Sequence, residues 1–361
     1  AFFCGALLNR HSRVKLGQNA FAICSQRLKV ILRNPTHYMM DSVDGHEQPE
    51  KKGWFAMRKH VKANVSWVGY IDWELKHFHG DEYSIINGSS QNAYLVEEEK
   101  TVLIDTVWAP HRFEFIENLK SEIDLAKLDC VVANHGEVDH SGALTELMKA
   151  RPDLPIYCTA NAVKSLEGQY GKHGWNFNVV KTGDTLDIGN GKKLVFVEMR
   201  MLHWPDSMAT YLTGDNVLFS NDAFGQHYAA AKRFDDEVDL GILFYEAKKY
   251  FANILWPYAK LIDKALAKAA ALDLKMIATA HGIIWRSHIQ EIIAKYAAWG
   301  KGVSGSSVVI AYDTMWGATE QMARAVLEGV VSAGSDAVLL RMNETPNSTA
   351  VADLFEAGGM I

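Results

Sequence analysis

Four short segments rich in imidazole and carboxylate, each set against an apolar run, constrain this chain more than any other feature. The densest is His135-Gly-Glu137-Val-Asp139-His140, directly after the strand-like run Leu128 to Ala133. The others are His203 in His-Trp-Pro-Asp, Asp222 in Ser-Asn-Asp-Ala-Phe-Gly, and His281 in Ala-His-Gly. A fold that uses them together must gather loops from distant strand ends at one edge of its sheets. Taken singly, a His or Asp needs no function in a chain with 14 His and 43 acidic residues. Such residues cap helices, solvate surfaces or satisfy core hydrogen bonds. His-x-Glu-x-Asp-His is more specific, because ordinary surface stretches rarely pack four good ligands so closely. Mixed imidazole and carboxylate donors suit a redox-capable metal pair. Thiolates favour zinc or iron–sulfur chemistry, and all-oxygen sets favour magnesium or calcium.

Strand-like and helix-like runs alternate from Val61 to about Ala298. Strands are expected at Tyr94–Val96, Thr101–Asp105, Leu128–Ala133, Ile156–Thr159, Lys193–Glu198, Thr210–Thr213, Val217–Ser220 and Met276–Thr279, with a hairpin signal at Gly214-Asp215. Helices are expected at Gly142–Ala150, over Leu240–Ala271 with a break near Pro257, and at Ile289–Ala298. Central strands flanked by helices suit an αββα sandwich with ligands on loops at one sheet edge. Within the first motif, His135, Glu137 and Asp139 are expected to alternate on a turn leaving the strand and so to converge.

After Gly300-Lys-Gly-Val-Ser-Gly-Ser-Ser307 a new unit begins: strand Val308–Ala311, loop Tyr312–Thr319 and helix Glu320–Val331. A strand, a loop with hydroxyls and a helix start can together cradle a phosphate. A second strand at Val338–Arg341 and a helix at Ala350–Ala357 follow.

A length of 361 residues fits about two domains. The net charge of −6 gives no sign of nucleic-acid or membrane attraction. Cys4, Cys24, Cys130 and Cys158 form no Cys-x-x-Cys pair, so neither a disulfide framework nor a rubredoxin-type site is expected, and Cys130 and Cys158 read as buried thiols. No apolar run approaches the roughly 18 residues that span a bilayer. Ala1 to Leu8 makes a poor signal peptide, and a cytoplasmic protein is expected.

The ligand segments stand 63 residues apart from His140 to His203, 19 to Asp222 and 59 to His281. In residue type and interval they resemble the flavodiiron proteins, or A-type flavoproteins. The resemblance runs from about Asn64 to Glu320. It includes Trp67-Val-Gly, Asp72-Trp73, Phe78-His79-Gly80, Asn92-Ala-Tyr94-Leu and Leu202-His-Trp-Pro-Asp-Ser-Met208. Thr182 to Gly191 and Ser220-Asn-Asp-Ala-Phe-Gly-Gln-His227 are most similar to the flavorubredoxin branch, the anaerobic nitric oxide reductases. The resemblance implies a metallo-β-lactamase-like αββα sandwich followed by a flavodoxin-like α/β domain of which only the N-terminal part is present. The implied organisation is an extension without family counterpart at 1–56, a diiron domain at 57–303 and a truncated FMN domain at 304–361. Residues 1–56 are expected to carry no chemistry.

For the site, the resemblance implies that His135, Glu137 and His203 bind one iron, that Asp139 and His281 bind the other, and that Asp222 bridges both. His140 occupies a motif position that is a ligand in some members and a hydrogen-bonding neighbour in others. The FMN phosphate loop is implied at Thr314, Met315, Trp316, Gly317, Ala318 and Thr319, with Ala318 where flavodoxins often carry a second hydroxyl, and the FMN site is incomplete. The implied activity is reduction of nitric oxide to nitrous oxide, or dioxygen to water, with electrons from a rubredoxin-like donor through FMN. The implied assembly is a head-to-tail homodimer or a dimer of dimers. The alternative is a metal-dependent hydrolase of the thioesterase or glyoxalase type. Hydrolases of this fold typically carry His at the second motif position and bind zinc. Glu137 stands there instead, and its negative charge stabilises oxidised iron.

Overall fold

The computed structural model describes residues 58–270 and 272–361. The extension expected at residues 1–56 lies outside them.

β1 (Lys59–His60) and β2 (Val65–Trp67) lead into a two-stranded ribbon of β3 (Tyr70–Asp72) and β4 (Ser89–Gln91). β5 (Tyr94–Glu97), β6 (Thr101–Ile104), β7 (Leu128–Val132), β8 (Ile156–Cys158) and β9 (Phe177–Val179) complete a seven-stranded sheet in the order β1-β2-β5-β6-β7-β8-β9. Its connections include α1 (Arg112–Glu122), α2 (Val138–Ser141), α3 (Leu144–Ala150) and α4 (Ala160–Tyr170). A second sheet runs β10 (Thr185–Gly189), β11 (Lys192–Glu198), β12 (Met208–Leu212), β13 (Val217–Asn221) and β14 (Met276–Thr279) in sequence order. α5 (Leu240–Tyr250) and α6 (Ala259–Ala270) fall between β13 and β14, and α7 (Ile289–Gly300) follows.

Side-chain alternation along each strand shows why these runs read as continuously apolar. Tyr94, Val96, Val102, Ile104 and Val132 point into the layer between the two sheets, where they meet Phe196, Leu212 and Phe219. Their neighbours Leu95, Leu103 and Val131 point the other way, onto a cluster with Phe115, Leu147 and Leu166 of the outer helices. Ile277 likewise faces outward, to Leu243, Ile292 and Tyr296. Strands buried on both faces lose the in–out polarity pattern. Phe196 and Phe219, almost wholly buried, each stabilise the inter-sheet layer by roughly 2 kcal/mol. The result is the expected αββα sandwich.

Local chemistry sets the helix ends. The Thr159 hydroxyl accepts the Ala162 N–H at 3.1 Å and starts α4, and Gly171, at φ 90°, ends it. The break foreseen near Pro257 is real. α5 gives way to a π-helical turn at Phe251–Leu255, then to a tight turn at Trp256–Tyr258, before α6 resumes. Proline has no N–H to continue the ladder, which accounts for the change of register. The Gly214-Asp215 hairpin joins antiparallel β12 and β13. Strands β1, β2, β3, β4, β9 and β10 and helices α1, α2 and α4 were not among the expected elements.

Beyond the sandwich, β15 (Val308–Tyr312), α8 (Ala318–Ser332), β16 (Ala337–Arg341), α9 (Asn347–Phe355) and β17 (Gly359–Met360) form a parallel three-stranded sheet in the order β16-β15-β17. That order is the start of a doubly wound fold. α9 also grips the segment between β3 and β4. The Ser84 N–H donates to the Ser348 hydroxyl at 3.0 Å, the Asn253 amide donates to the Ser348 carbonyl at 3.0 Å, and Asn347 donates to Glu82. No helix among the described residues is long and apolar enough to cross a membrane.

Candidate metal centre

Strand directions bring the four segments to one end of the sandwich. β7 runs into His135, and β13 runs into Asp222. β14 lies parallel to β13 and delivers His281 at the same end. β12 is antiparallel to β13, so the segment entering it, with His203, starts there too. Asn134 ties the two sheets at this edge. Its carbonyl accepts the Met208 N–H at 2.9 Å, its side-chain oxygen accepts the Thr210 hydroxyl at 2.7 Å, and its N–H donates to Asp105 at 2.7 Å.

The side chains form two groups sharing one carboxylate. In the first, Glu137 Oε2 lies 3.2 Å from Nε2 of both His135 and His203. In the second, Asp139 Oδ2 lies 3.2 Å from His140 Nε2 and 3.1 Å from His281 Nε2. Asp222 stands between them. Its Oδ2 is 3.7 and 3.6 Å from His135 and His203, while its Oδ1 is 3.2 and 3.5 Å from His140 and His281. Donor atoms of His135, His203 and Asp222 lie within 4.8 Å of one another, and so do those of Asp139, His140 and His281.

The local route to this arrangement differs from the alternation expected on a turn. His135 and Glu137 occupy the extended exit from β7, and Asp139 and His140 lie in the short helix α2, for which Glu137 is the N-cap residue. One helical turn, rather than a continued zigzag, divides the motif between the two groups. The structure places all seven expected residues together, His140 included.

Electrostatics favour cations here. Nε2 of His140, His203 and His281, both Asp139 oxygens and Asp222 Oδ2 are buried without a hydrogen bond of proper geometry. Such groups cost about 1–3 kcal/mol each when left unpaired. In the metal-free protein, protons take the place of cations. Burial works against charging His135, but Asp206 and Glu137 outweigh it and raise its pKa to about 9. His281 reaches about 9 in the same way, with Asp139 and Asp222 prevailing over burial. For Asp222 the sense is opposite: burial alone would raise it, and the facing imidazoles hold it well below the ordinary carboxylate range. The donor set therefore fits two metal ions.

Supporting contacts fix the ligand orientations. Asp206 Oδ1 lies 2.9 Å from His135 Nδ1, and its Oδ2 accepts the Gly136 N–H at 3.0 Å. His281 Nδ1 donates to the Ser90 carbonyl at 3.0 Å, and the Tyr250 hydroxyl donates to Asp222 Oδ1 at 2.9 Å. Partners of this kind set imidazole tautomer and ligand basicity. His79 and His227 pack their rings 5.4 Å apart beside the centre, with His227 Nδ1 2.7 Å from the Ser89 hydroxyl. The sequence reading missed Asp206, His79, His227 and Tyr250 as site residues. The first three stand inside quoted motifs, so their segments were visible and only their contacts were not.

A cleft of about 510 Å³ opens onto the centre, lined by His79, Gly80, Glu137, His203, Asn253, Ile254, Pro257 and Tyr258. The loop expected to hold a phosphate lies between β15 and α8. There Thr314 Oγ1 accepts the Gly317 N–H at 2.9 Å and Gly317 adopts φ 86°. Met315 and Trp316 are 82% and 90% exposed.

Fold and site together define a β-lactamase-like sandwich with a paired metal-ligand set at its sheet edge. A family model described as "ODP family beta lactamase" matches residues 89–282. The flavodiiron protein from Giardia intestinalis superposes with a TM-score of 0.82 at 35% identity, over 86% of this chain and 75% of that one. Rubredoxin oxygen:oxidoreductase from Desulfovibrio gigas does so with a TM-score of 0.80 at 36% identity, over 84% and 76%. An anaerobic nitric oxide reductase flavorubredoxin of Escherichia coli (strain SMS-3-5 / SECEC) is 50% identical over 307 residues, covering 83% of this chain and 64% of the relative. The chain belongs to the flavodiiron protein family. The chain spans 64% of the length of that flavorubredoxin.

Proposed function

We propose that this chain is the catalytic core of a flavodiiron nitric oxide reductase. In this reading His135, Glu137 and His203 hold one iron, Asp139, His140 and His281 hold the other, and Asp222 bridges them. The observation that carries it is the division of the Asp222 carboxylate, with one oxygen facing each group. Iron held by these residues would supply redox chemistry for the reduction of nitric oxide, in which two molecules, two protons and two electrons give nitrous oxide and water; dioxygen reduction to water is the related activity. The relatives' names, flavorubredoxin and rubredoxin oxygen:oxidoreductase, support a rubredoxin-type donor and these substrates.

The chain's own groups suit that task. Asp206 and Ser90 orient the imidazoles of His135 and His281, and Tyr250 steadies the shared carboxylate. His79 lines the cleft, and burial lowers its pKa to about 4, so the ring is neutral at pH 7. Nearby cations would keep it so, leaving a ring nitrogen able to donate a hydrogen bond to a small bound substrate. FMN would seat its phosphate on Thr314 to Thr319, and a head-to-tail dimer would place the flavin of one subunit beside the irons of the other. The test is reconstitution with ferrous iron under anaerobic conditions, with metal counted per chain and nitrous oxide measured after reduction. Two irons per chain and nitrous oxide formation are expected. Preferential zinc binding with thioester hydrolysis would replace this reading by the hydrolase.

A further inference from the structure

A second cavity, of about 300 Å³, lies beneath α6 on the outer face of the five-stranded sheet. Ala209 and Leu218 form its floor and Leu261 and Ala265 its roof. Its inner wall is shared with the metal centre. Leu202 and Leu255 line this cavity, while their chain neighbours His203 and Ile254 line the cleft that opens onto the proposed irons. Ala223 and Phe224, also in the wall, directly follow Asp222. Consecutive residues stand only about 3.8 Å apart, so at these points a single stretch of chain separates the two spaces.

Most polar groups around the cavity are already engaged, and Lys264, at the rim, is exposed to solvent. The Ser220 hydroxyl donates to the Ala223 carbonyl at 2.7 Å, and the Tyr296 oxygen accepts the Phe224 N–H at 2.7 Å. At the rim, Arg200 pairs with Glu198 at 2.6 Å and Lys268 donates to the Glu198 carbonyl at 3.3 Å. None of the lining side chains is among the buried polar groups left without a partner. Water in a cavity needs two to four polar partners, and apolar cavities without them stay dry and take up xenon or benzene. A carboxylate-headed amphiphile finds two of the three rim cations, Arg200 and Lys268, already occupied and the third, Lys264, in contact with solvent. The space suits a small, neutral solute that prefers apolar surroundings to water.

We infer that this cavity is an antechamber for the diatomic substrate, which reaches the metal centre through the wall formed by Leu202 and Leu255. The inference rests on the nitric oxide reading above. Its test uses xenon and nitric oxide as separate probes of the iron-loaded, chemically reduced protein. Crystals pressurised with xenon should show an atom beneath α6 in the parent protein and none in Ala265→Phe, whose ring fills the space. The bimolecular rate of nitric oxide uptake, followed by absorbance in stopped flow, should fall several-fold in that variant while iron content and melting temperature hold. Ala209→Leu fills the cavity from the sheet side and should act likewise, which guards against a local defect in α6. A parent protein without xenon at this place overturns the antechamber, as does an unchanged uptake rate in variants that have lost the xenon. Xenon bound in a protein that takes up no nitric oxide would instead remove the substrate reading, and the inference with it.

Discussion

Replacing Asp222 by Asn isolates the charge of the shared carboxylate. The amide has nearly the same shape, and its oxygen can still accept the Tyr250 hydroxyl, so the fold should survive. What disappears is one negative charge placed 3.2 to 3.7 Å from imidazole nitrogens of both groups. A cation held among those nitrogens sits within about 4 Å of that charge. At an effective dielectric of about 20, a single positive unit there gains about 4 kcal/mol, and a divalent ion gains more. Each metal should therefore bind at least about a thousandfold more weakly. The assay is metal per chain after dialysis against a graded series of chelators, with circular dichroism confirming the fold. Asp222→Asn should lose both ions together. Glu137→Gln, which alters a carboxylate facing only His135 and His203, should lose one. An Asp222→Asn protein that keeps one tightly bound ion would refute the bridging role and the paired site built on it.

Asp206→Asn should weaken metal binding about 10- to 100-fold, as loss of a ligand's orienting partner does, and competition with a chromogenic chelator would read it. Gly136→Ala should act through the same contact. A Cβ there would lie 2.6 Å from Asp206 Oδ2 and 2.7 Å from Ser165 Cβ, and relieving that overlap costs about 1–3 kcal/mol, visible as a lowered melting temperature together with weaker metal binding. The metal-free protein should have its own pH profile. The raised pKa values of His135 and His281, about 9, give stability that is full below the unfolded value of about 6.5 and is lost as pH climbs through 9. Asp139 and Asp222, held low, give stability above about pH 4 that is lost as pH falls. Melting temperature without metal should thus peak between about pH 4 and 6.5; a flat profile up to pH 9 would contradict the proton-for-metal exchange. Iron loading should release protons, measurable by titration in weak buffer, and should tighten as pH rises.

The ligands were legible because each stands beside a strand and the first motif compresses four of them into one local signal. The two-sheet architecture was legible from apolar runs such as Leu128–Val132, whose faces are both buried. The supporting shell was not, for a physical reason. Asp206 and His135 are 71 residues apart, and Tyr250 and Asp222 are 28 apart on different elements. No periodicity records such pairings. Helix α4 carries small and polar residues and only Ala162 and Leu166 are fully buried, so its apolar stripe is narrow. Strands β3 and β4 hold only three residues each, too few for alternation to declare itself. The division of the His135–His140 motif by a helical turn was hidden too, since β-branched Val138 favours the extended chain over the helix that it begins.

The grip of α9 on the segment between β3 and β4 has a mechanical consequence. That segment carries His79 and Gly80, which form part of the mouth of the metal-centre cleft. Ser348 holds that segment at Ser84 and also accepts the amide of Asn253, a cleft residue in the π-helical turn Phe251–Leu255. Helix α9 is thus bolted to two sides of the doorway. A displacement of the flavodoxin-like layer would be passed to the threshold without crossing the sandwich core. Any movement of α9 would act on both sides of the cleft at once, through the hydroxyl and carbonyl of a single serine.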